Sequence, residues 1–598
     1  MFSSASFLSC GSDNDDTGDN VEPVTGDSLL INEFMAKNRF SHKDDNGEAH
    51  DWVEIFNPTD QTVSLDGWSL TTDTALPQLA RIADGHSLAP LERIVLFLEG
   101  PTVAEPSSDF HLPIVLDRKE GTIALYDGSQ ALVNELNYGE QAGEFSASRT
   151  PDGSDVWQVV WDITPGEANV AGAGQDSPSS PTETVPAIED VSELMLGETV
   201  IKEFDLDIPE ASMSALRAAP RVYAEAALTI DGRTFEPIGV RLKGNNSFRT
   251  IDEKPSFRIE LDTFVPNGEI FGLDDLTLNN MIDDPSLMRE RISYKVARDN
   301  GVTASRTSYA FINVNGTPYG LYSNIEHVER RMVERFFTDG TGTLFEATDV
   351  DMQLAPFTVD GTNIGTFNDY EHKSGPMSFT ELEALSQAFA STLPVDSATD
   401  AEIAAALVTA EQFVEIEDFR NFWAVLGIVA QFDSFPYSFD DYYLYLNPSD
   451  MKYRFIPWGM DEAFGFCSGN VGGMLDCDYP LASDPAVDDH EEFRRWPLAG
   501  EPVLTDLCQN DDNCRIALLS KMCDVLTVVE SSDWLADFDA VRSSLEEFAS
   551  RESDKSYLTH TLMEIQNAQT NLRDFLETRR ESFIWSINGV EGDAGVCP

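Results

Sequence analysis

The stretch 422–465 holds the residues best suited to chemistry. An apolar helix, Phe422–Val429, leads to Asp433, and two predicted strands separate that aspartate from Asp461. Helix, acidic loop, hairpin and second acidic loop would bring carboxylates from two loops to one end of the hairpin. Phosphotransferases use such a pair: one carboxylate orients or deprotonates the attacking hydroxyl, and the other holds the metal bridging the nucleotide phosphates. Two unrelated, solvated loop aspartates are the alternative.

Cations are scarce, so a group of them is informative. The chain has 39 Lys and Arg against 105 Asp and Glu, a formal net charge of −66. Arg241, Lys254 and Arg258 nevertheless alternate with apolar residues, which suggests a bound anion; surface ion pairs are the alternative. The turn Gly244–Ser247 follows a strand and could direct backbone N–H groups and a hydroxyl at phosphates, although a plain hairpin turn is the commoner explanation of such a stretch.

Composition excludes several classes of function. Strong negative charge repels nucleic acid and anionic membranes. The sequence has no Walker P-loop, no GxSxG elbow and no HExxH motif, its eight histidines are scattered, and no cysteine spacing matches a zinc knuckle. A chain of 598 residues that is 41% hydrophobic can build more than one core.

Periodicity divides the chain into four parts. Residues 1–28 form an apolar start and an acidic tether, and residues 29–169 alternate like the strands of an all-β sandwich. Residues 170–196 are rich in Gly, Ser and Pro and are predicted to be a linker. Residues 197–592 begin with strands and one helix, with Asp284 as N-cap and Pro285 as first residue, and become helical later, as in a two-lobed α+β domain.

The cysteines bear on location. Phe7-Leu8-Ser9-Cys10 resembles the lipobox of bacterial lipoproteins, which predicts lipidation of Cys10; a chance cysteine in a tail is the alternative. The six others lie beyond residue 460 and allow fifteen connectivities, among which Cys467–Cys477 and Cys508–Cys514 are the simplest pairs to expect because each closes a short loop. An oxidising, extracytoplasmic location is therefore predicted, secreted or lipid-anchored at a bacterial surface, with membrane contact only through the lipid.

The first domain resembles a known family. Four blocks in family order resemble the lamin tail domain, which implies an immunoglobulin-like sandwich. They are Ile31–Ala36, Asp51–Asn57, Leu65–Leu70 and Thr164–Asn169. In bacterial surface proteins such a module resembles a targeting or binding accessory, so a cell-surface or matrix partner is expected for it.

The second domain resembles the spore coat protein H (CotH) family of secreted, atypical protein kinases, which use ATP and a divalent metal. Four blocks in family order carry the likeness: Ile238–Ser247 with the basic strand 254–258 after it, Asp284–Arg289, Val314–Glu326, and Tyr442–Gly465. The resemblance implies a two-lobed, kinase-like fold, ATP and Mg²⁺ or Mn²⁺ as cofactors, and a protein Ser or Thr as substrate.

Residue roles follow from that resemblance. Asp433 takes the catalytic-loop position and Asp461 the metal-binding position before Phe-Gly, with Asp441 as a second candidate metal ligand. Glu326 falls where a kinase-like fold has its adenine-binding hinge, a strand-edge glutamate being the alternative. Glu290 could pair with Lys254, or lie on a solvated helix face. The nucleotide-binding candidates are Arg241, Gly244, Asn245, Ser247, Lys254, Arg258 and Glu326.

Two positions depart from the family pattern. The family commonly has Asn where this chain has Asp441, and its Trp-Asp-x-Asp becomes Trp458-Gly459-Met460-Asp461. Asp441 can still bind a metal but adds negative charge beside the phosphates. The sequence therefore predicts a secreted or surface Ser/Thr kinase, with a catalytically silent, kinase-like adhesion or binding protein as the alternative.

Overall fold

The computed structural model describes residues 26–102, 107–169, 180–187, 190–245, 247–347, 370–390, 398–431, 434–437, 441–464, 503–551, 560–588 and 597. The chain divides into two compact units. The first comprises residues 1–191 with 268–272, and the second comprises residues 192–267 and 273–598. None of the helices in the described ranges combines the length and the apolar character that crossing a bilayer requires.

The first unit is a β-sandwich, as predicted. Its six-stranded sheet has the order β12-β11-β1-β2-β7-β8, its five-stranded sheet has the order β13-β10-β9-β4-β5, and β3 pairs with β6. Phe34, Ile55 and Leu125 are among the buried side chains of the shared core. The strands are β1 (Leu30–Met35), β2 (Asp51–Phe56), β3 (Val63–Ser64), β4 (Ser69–Thr71), β5 (Ala80–Arg81), β6 (Ser87–Leu88), β7 (Arg93–Leu98), β8 (His111–Leu112), β9 (Gly121–Tyr126), β10 (Leu132–Tyr138), β11 (Ser146–Arg149), β12 (Trp157–Val160) and β13 (Thr182–Val185).

The segment predicted to be a linker contains one of these strands. Thr182–Val185 pairs in parallel with β10, and Val185 is buried in the sandwich core. Glu183 forms an ion pair with the buried Arg149 (Nη2 to Oε1, 2.6 Å). The prediction of a linker over 170–196 is therefore wrong for residues 182–185, because this short strand completes the edge of the five-stranded sheet. It is also wrong for residues 193–196, which form a short helix in the second unit with Met195 and Leu196 buried.

The second unit begins with a closed barrel whose strand order is β14-β15-β16-β17-β18-β20-β19. Its elements are α1 (Glu193–Leu196), β14 (Ile201–Asp207), α2 (Glu210–Ala218), β15 (Ala224–Ile230), β16 (Arg233–Lys243), β17 (Ser256–Glu260), β18 (Asp275–Asn279), α3 (Arg289–Asp299), β19 (Thr307–Val314), β20 (Thr317–Ile325) and α4 (Arg330–Phe336). Val240 and Leu242 are fully buried, so Arg241 and Lys243 lie on the opposite face of β16.

A four-stranded sheet, order β22-β21-β23-β24, and a group of helices complete this unit. They are β21 (Thr343–Ala347), β22 (Tyr370–Ser374), α5 (Thr380–Ala390), α6 (Asp400–Ala410), α7 (Ile416–Val429), β23 (Tyr442–Asn447), β24 (Lys452–Pro457), α8 (Val503–Asn510), α9 (Asp512–Val529), α10 (Ser532–Ser550) and α11 (Leu562–Asn588). Strands first and helices later confirm the predicted α+β architecture.

Among the described residues, two disulfides lie in the helical part. Cys508–Cys514 joins α8 to α9 and was one of the two predicted pairs, whereas Cys523–Cys597 joins α9 to the end of the chain. Their Cα atoms are 5.1 and 5.6 Å apart. The other predicted pair, Cys467–Cys477, lies outside the described residues.

We expect the two disulfides to stabilise the fold unequally. Loop-closure entropy grows with loop length, so removing the bond that closes a separation of 74 residues should cost about 4 kcal/mol and removing the one that closes 6 about 2 kcal/mol. Denaturant unfolding of Cys508→Ser/Cys514→Ser and Cys523→Ser/Cys597→Ser compares them. A larger loss of unfolding free energy for the short loop would contradict this order.

Candidate active site

Helix α3 begins later than predicted. Leu287 has a left-handed φ of 60°, so the helix starts at Arg289 instead of Pro285. Asp284 still caps this region, because its carboxylate accepts hydrogen bonds from the backbone N–H groups of Ser286 (2.9 Å) and Arg289 (2.8 Å). The late start places Glu290 in the first turn, beside the barrel wall.

A lysine, an asparagine and a glutamate are linked there by hydrogen bonds. Lys243 Nζ donates to Asn279 Oδ1, and Asn279 Nδ2 donates to Glu290 Oε1 at 2.8 Å. Glu290 is only 3% exposed, and its other oxygen has no hydrogen-bond partner that meets standard geometry among the described residues. The predicted alternative of a solvated helix face is therefore wrong, and the lysine associated with Glu290 is Lys243, not Lys254.

Burial dominates the electrostatics of this group. It raises the pKa of Glu290 to about 8, with the nearby Asp461 adding to the rise and Lys243 opposing it. Burial also raises the pKa of Asp461 and lowers the pKa of Lys243, whose charged form the two carboxylates favour. Perturbed titration of an acid, a base and a second acid in one place is typical of functional sites.

The raised pKa of Glu290 predicts a pH effect on stability. Between its ordinary pKa of roughly 4.3 and the folded value of about 8, the folded chain keeps a proton that the unfolded chain releases. This contribution is fully present below the ordinary pKa and is lost as pH rises through the folded value. The unfolding free energy of Glu290→Gln should therefore fall less steeply than that of the wild type between about pH 5 and 8. Equal slopes would contradict the assignment.

The hairpin β23–β24 brings two acidic residues to one end. Tyr442 is paired with Pro457, so the residues before β23 and after β24 are neighbours. The backbone oxygen of Asp441 accepts from Trp458 N (3.2 Å) and from Ser434 Oγ (2.9 Å), and Asp461 lies in the 3₁₀ turn Met460–Glu462, which contacts α3. The predicted meeting of two acidic loops is thus seen for Asp441 and Asp461.

The two departures from the family pattern touch each other. Gly459 has a left-handed φ of 56°, and a Cβ atom on it would lie 2.0 Å from Asp441 Oδ2. The carboxylate of Asp441 therefore fills the space in which a side chain at position 459 would begin.

Helix α7 leads the chain to this site. It ends at Ala430, whose left-handed φ of 53° turns the chain, and Gln431 then donates a side-chain hydrogen bond to the backbone oxygen of Gly459. Asp433, the predicted catalytic aspartate, lies outside the described residues, as do Asn246 and Cys10. The role of Asp433 therefore stays a prediction.

Part of the predicted basic group lies on the same face of the sheet as Lys243. Arg241 and Arg258 are direct cross-strand partners in β16 and β17. Arg258 is neutralised by Asp275 (Nη2 to Oδ2, 2.8 Å), whereas Arg241 packs over the Tyr223 ring (5.2 Å) and has no carboxylate partner within the described ranges. Two like charges side by side, with one of them uncompensated, favour an anion.

The predicted phosphate turn follows β16. Gly244 has a φ of 98°, which favours glycine, and a Cβ there would lie 2.9 Å from Ser247 Oγ. Phe248 N donates to Asn245 O (3.1 Å), which closes the turn, and Asn280 Nδ2 holds it from below through Ser247 O (3.1 Å). The turn is therefore held in place next to Lys243.

Two predicted binding residues have other neighbours. Lys254 is buried, and its Nζ lies 5.2 Å from the centre of the Tyr322 ring on β20. Glu326 is buried and its carboxylate accepts from Arg306 Nη2 (2.7 Å) and from Arg335. Both side chains thus have structural partners, and their nucleotide-binding roles remain untested predictions.

Sequence reasoning missed Lys243, Asn279 and Arg289 as site residues. Lys243 lies within the block Ile238–Ser247 that resembles the family, but the sequence pattern alone does not show whether Lys243 or Lys254 faces the site. Asn279 becomes relevant only because β18 pairs with β17 and β20, which brings it between lysine and glutamate. Burial lowers the pKa of Arg289, while Asp284 and Asp461 favour its charged form, so a third cation borders the carboxylates.

The residues present fit a metal–nucleotide complex. Asp461 and, once it is ionised, Glu290 offer oxygen ligands, the kind Mg²⁺ and Mn²⁺ prefer. Lys243 and Arg241 offer positive charge on the adjoining wall, as phosphate groups require. Asp441 stands at the same end of the hairpin as Asp461.

Comparison with known proteins agrees with the resemblances in the sequence. The family model described as CotH kinase protein matches residues 240–583, and the one described as Lamin Tail Domain matches residues 23–140, in the predicted order. Two proteins of Bacillus subtilis strain 168 are similar. An inner spore coat protein H-like protein is 40% identical over 75 residues, which is 12% of this chain and 23% of that protein. Inner spore coat protein H is 25% identical over 197 residues, which is 32% of this chain and 51% of that protein. The chain thus matches about half or less of the length of these curated relatives.

Proposed function

The chain belongs to the CotH kinase protein family, and from this membership we propose that its second unit transfers the γ-phosphoryl group of ATP to Ser or Thr hydroxyls of a protein. One observation carries the proposal: the Lys243–Asn279–Glu290 link adjoins Asp461, and Arg241, which has no carboxylate partner among the described residues, lies on the same sheet face as Lys243. A fixed cation next to a metal-binding carboxylate is what phosphoryl transfer needs.

The residues divide the work between binding and proton movement. When bound, ATP with Mg²⁺ or Mn²⁺ supplies the transferable group and the cation that neutralises it. Lys243, kept in place by Asn279, and Arg241 bind and orient phosphate oxygens. Asp461 holds the metal, with Asp441 as a second ligand, and Asp433 accepts the proton of the attacking hydroxyl.

Location and partners extend the proposal. Two disulfides support an oxidising compartment, which agrees with a secreted or lipid-anchored protein modified at Cys10. The protein substrate is an unidentified Ser or Thr protein outside the cytoplasm, and the lamin tail domain would bring the kinase to a surface or matrix partner. A silent, kinase-like binding protein is the competing function, favoured by the altered positions 441 and 459.

Labelled ATP tests the proposal directly. The full chain is incubated with ATP and Mn²⁺, alongside Asp461→Ala and Asp433→Ala. We expect wild-type autophosphorylation and a loss of about two orders of magnitude or more in each variant, because Asp461 holds the metal and Asp433 accepts the hydroxyl proton in the proposed reaction. Equal labelling in all three proteins, or no nucleotide binding by the wild type, would refute the kinase.

A further inference from the structure

A second set of ligand-type side chains lies in the β-sandwich, in the first unit. A tight turn after Lys43, which forms a bridge with Ala49, carries Asp44. Its Oδ1 accepts from the backbone N–H groups of Asn46 and Glu48, both at 2.9 Å. Its side chain is only 1% exposed. The turn thus fixes the carboxylate and leaves Oδ2 for another partner.

Two histidines converge on that second oxygen. His111 Nε2 is 3.1 Å and His50 Nε2 is 3.8 Å from Asp44 Oδ2, and the three ligand atoms all lie within 4.8 Å of one another. A tetrahedral zinc ion about 2.0–2.1 Å from each ligand atom separates the ligands by about 3.3 Å. The two distances to Asp44 Oδ2, 3.1 and 3.8 Å, bracket this value, and small side-chain shifts would bring all three atoms to one face of a zinc site.

One nitrogen of this group has no hydrogen bond. His50 Nε2 is buried, and among the described residues no atom satisfies it. The carboxylates of Asp44 at 3.8 Å and Glu48 at 3.6 Å face it, and both are too distant for a hydrogen bond. The space between this ring nitrogen and the two carboxylates is therefore wide enough for a bound cation.

The surroundings hold the second histidine in place. His111 Nδ1 is hydrogen-bonded to the hydroxyl of Ser108, and the His111 ring stacks on Phe97 with 5.1 Å between ring centroids. An outer-shell partner on the other ring nitrogen is usual for histidine ligands of metals, because it fixes the ring orientation. His111 stands in β8, far from the turn in sequence, which is why motif spacing did not reveal the group.

We propose that Asp44, His50 and His111 bind one zinc ion or a similar borderline divalent cation. Imidazole nitrogens select zinc-like metals over Ca²⁺ and Mg²⁺, which prefer oxygen ligands alone. Glu48, which is 72% exposed, supplies the fourth ligand or leaves that position to water. The ion ties the 43–50 turn to the edge strand β8 and stabilises the sandwich. This site is independent of the proposed kinase activity.

Cobalt and zinc binding to the full, untagged chain tests the site. After chelator treatment, we expect one Co²⁺ per chain with visible d–d absorption, displaced by Zn²⁺, and a higher thermal midpoint with Zn²⁺. His50→Ala, His111→Gln and Asp44→Asn should each weaken binding at least about 10–100-fold. His86→Ala is the matched control, since His86 pairs with Asp109 at the surface of the same unit, and it should bind as the wild type does.

Several results would overturn the proposal. The first is that the wild-type protein binds no stoichiometric Co²⁺ that Zn²⁺ can displace. The second is that His50→Ala binds the ion as tightly as the wild type does. The third is that Asp461→Ala loses the bound ion, which would place the ion in the other unit. His111 is buried and its replacement can unfold the sandwich. His50, with 19% of its side chain exposed, then decides the outcome, and circular dichroism verifies that this variant is folded.

Discussion

Replacing Lys243 with methionine is expected to lower phosphoryl transfer by about 10²–10³-fold, the usual loss when one preorganised charge-stabilising donor is removed. Methionine keeps most of the side-chain volume but removes the charge that Asn279 and Glu290 position. Because that charge is stabilised by Asp461 as well, its loss changes the electrostatics of the whole site. Initial rates with saturating ATP and Mn²⁺ measure the effect.

Two other lysines make this experiment selective. Lys202 lies on β14 and pairs with Asp231, so Lys202→Met should keep the wild-type rate of phosphoryl transfer. Lys254→Met should lose activity only in proportion to unfolded protein, because its Nζ packs over the Tyr322 ring. A full loss of transfer in folded Lys254→Met, with Lys243→Met active, would exchange the roles of the two lysines and contradict the structure.

Placing a methyl group on Gly459 is expected to cost about 2–4 kcal/mol of unfolding free energy, from overpacking and a strained left-handed φ. The new Cβ would lie 2.0 Å from Asp441 Oδ2, so the hairpin end must open and Asp461, two residues further on, must move. Transfer should therefore fall with stability. Denaturant unfolding and initial rates of Gly459→Ala measure both effects.

A double-mutant cycle tests whether the cause is this contact. Asp441→Gly removes the clashing carboxylate, so Gly459→Ala should cost at least about 1 kcal/mol less in that background. Asp441→Asn has the same shape as aspartate and should give no such relief. Additive losses in the Asp441→Gly background would mean that the strain at Gly459 lies elsewhere.

Sequence reasoning predicted those features that depend on local pattern. Strand alternation and four short blocks identified the sandwich, and the apolar run 422–429 identified α7. Cys508–Cys514 was predicted because the two residues are close in sequence, whereas the partner of Cys523 could be found only from the packing of the chain end against α9. Local pattern also placed Asp441 and Asp461 at one end of a hairpin.

Long-range features escaped prediction for physical reasons. Which lysine meets Glu290 depends on the register of β16, β17 and β18 and on which face of the sheet each side chain takes, and spacing reveals neither. The start of α3 depends on the left-handed backbone conformation of Leu287, which the sequence pattern did not predict. The group Asp44, His50 and His111 forms only when β8 joins the sheet beside β7.

The position of the label in ATP tests the central claim most directly. The full chain is incubated with Mn²⁺ and ATP labelled either at the α- or at the γ-phosphate, and acid-stable label on Ser or Thr is counted. We expect γ-label to enter the wild-type protein, α-label to stay out of it, and Lys243→Met and Asp461→Ala to remain unlabelled. Incorporation of α-label, or γ-label that persists in both variants, would contradict phosphoryl transfer at this site.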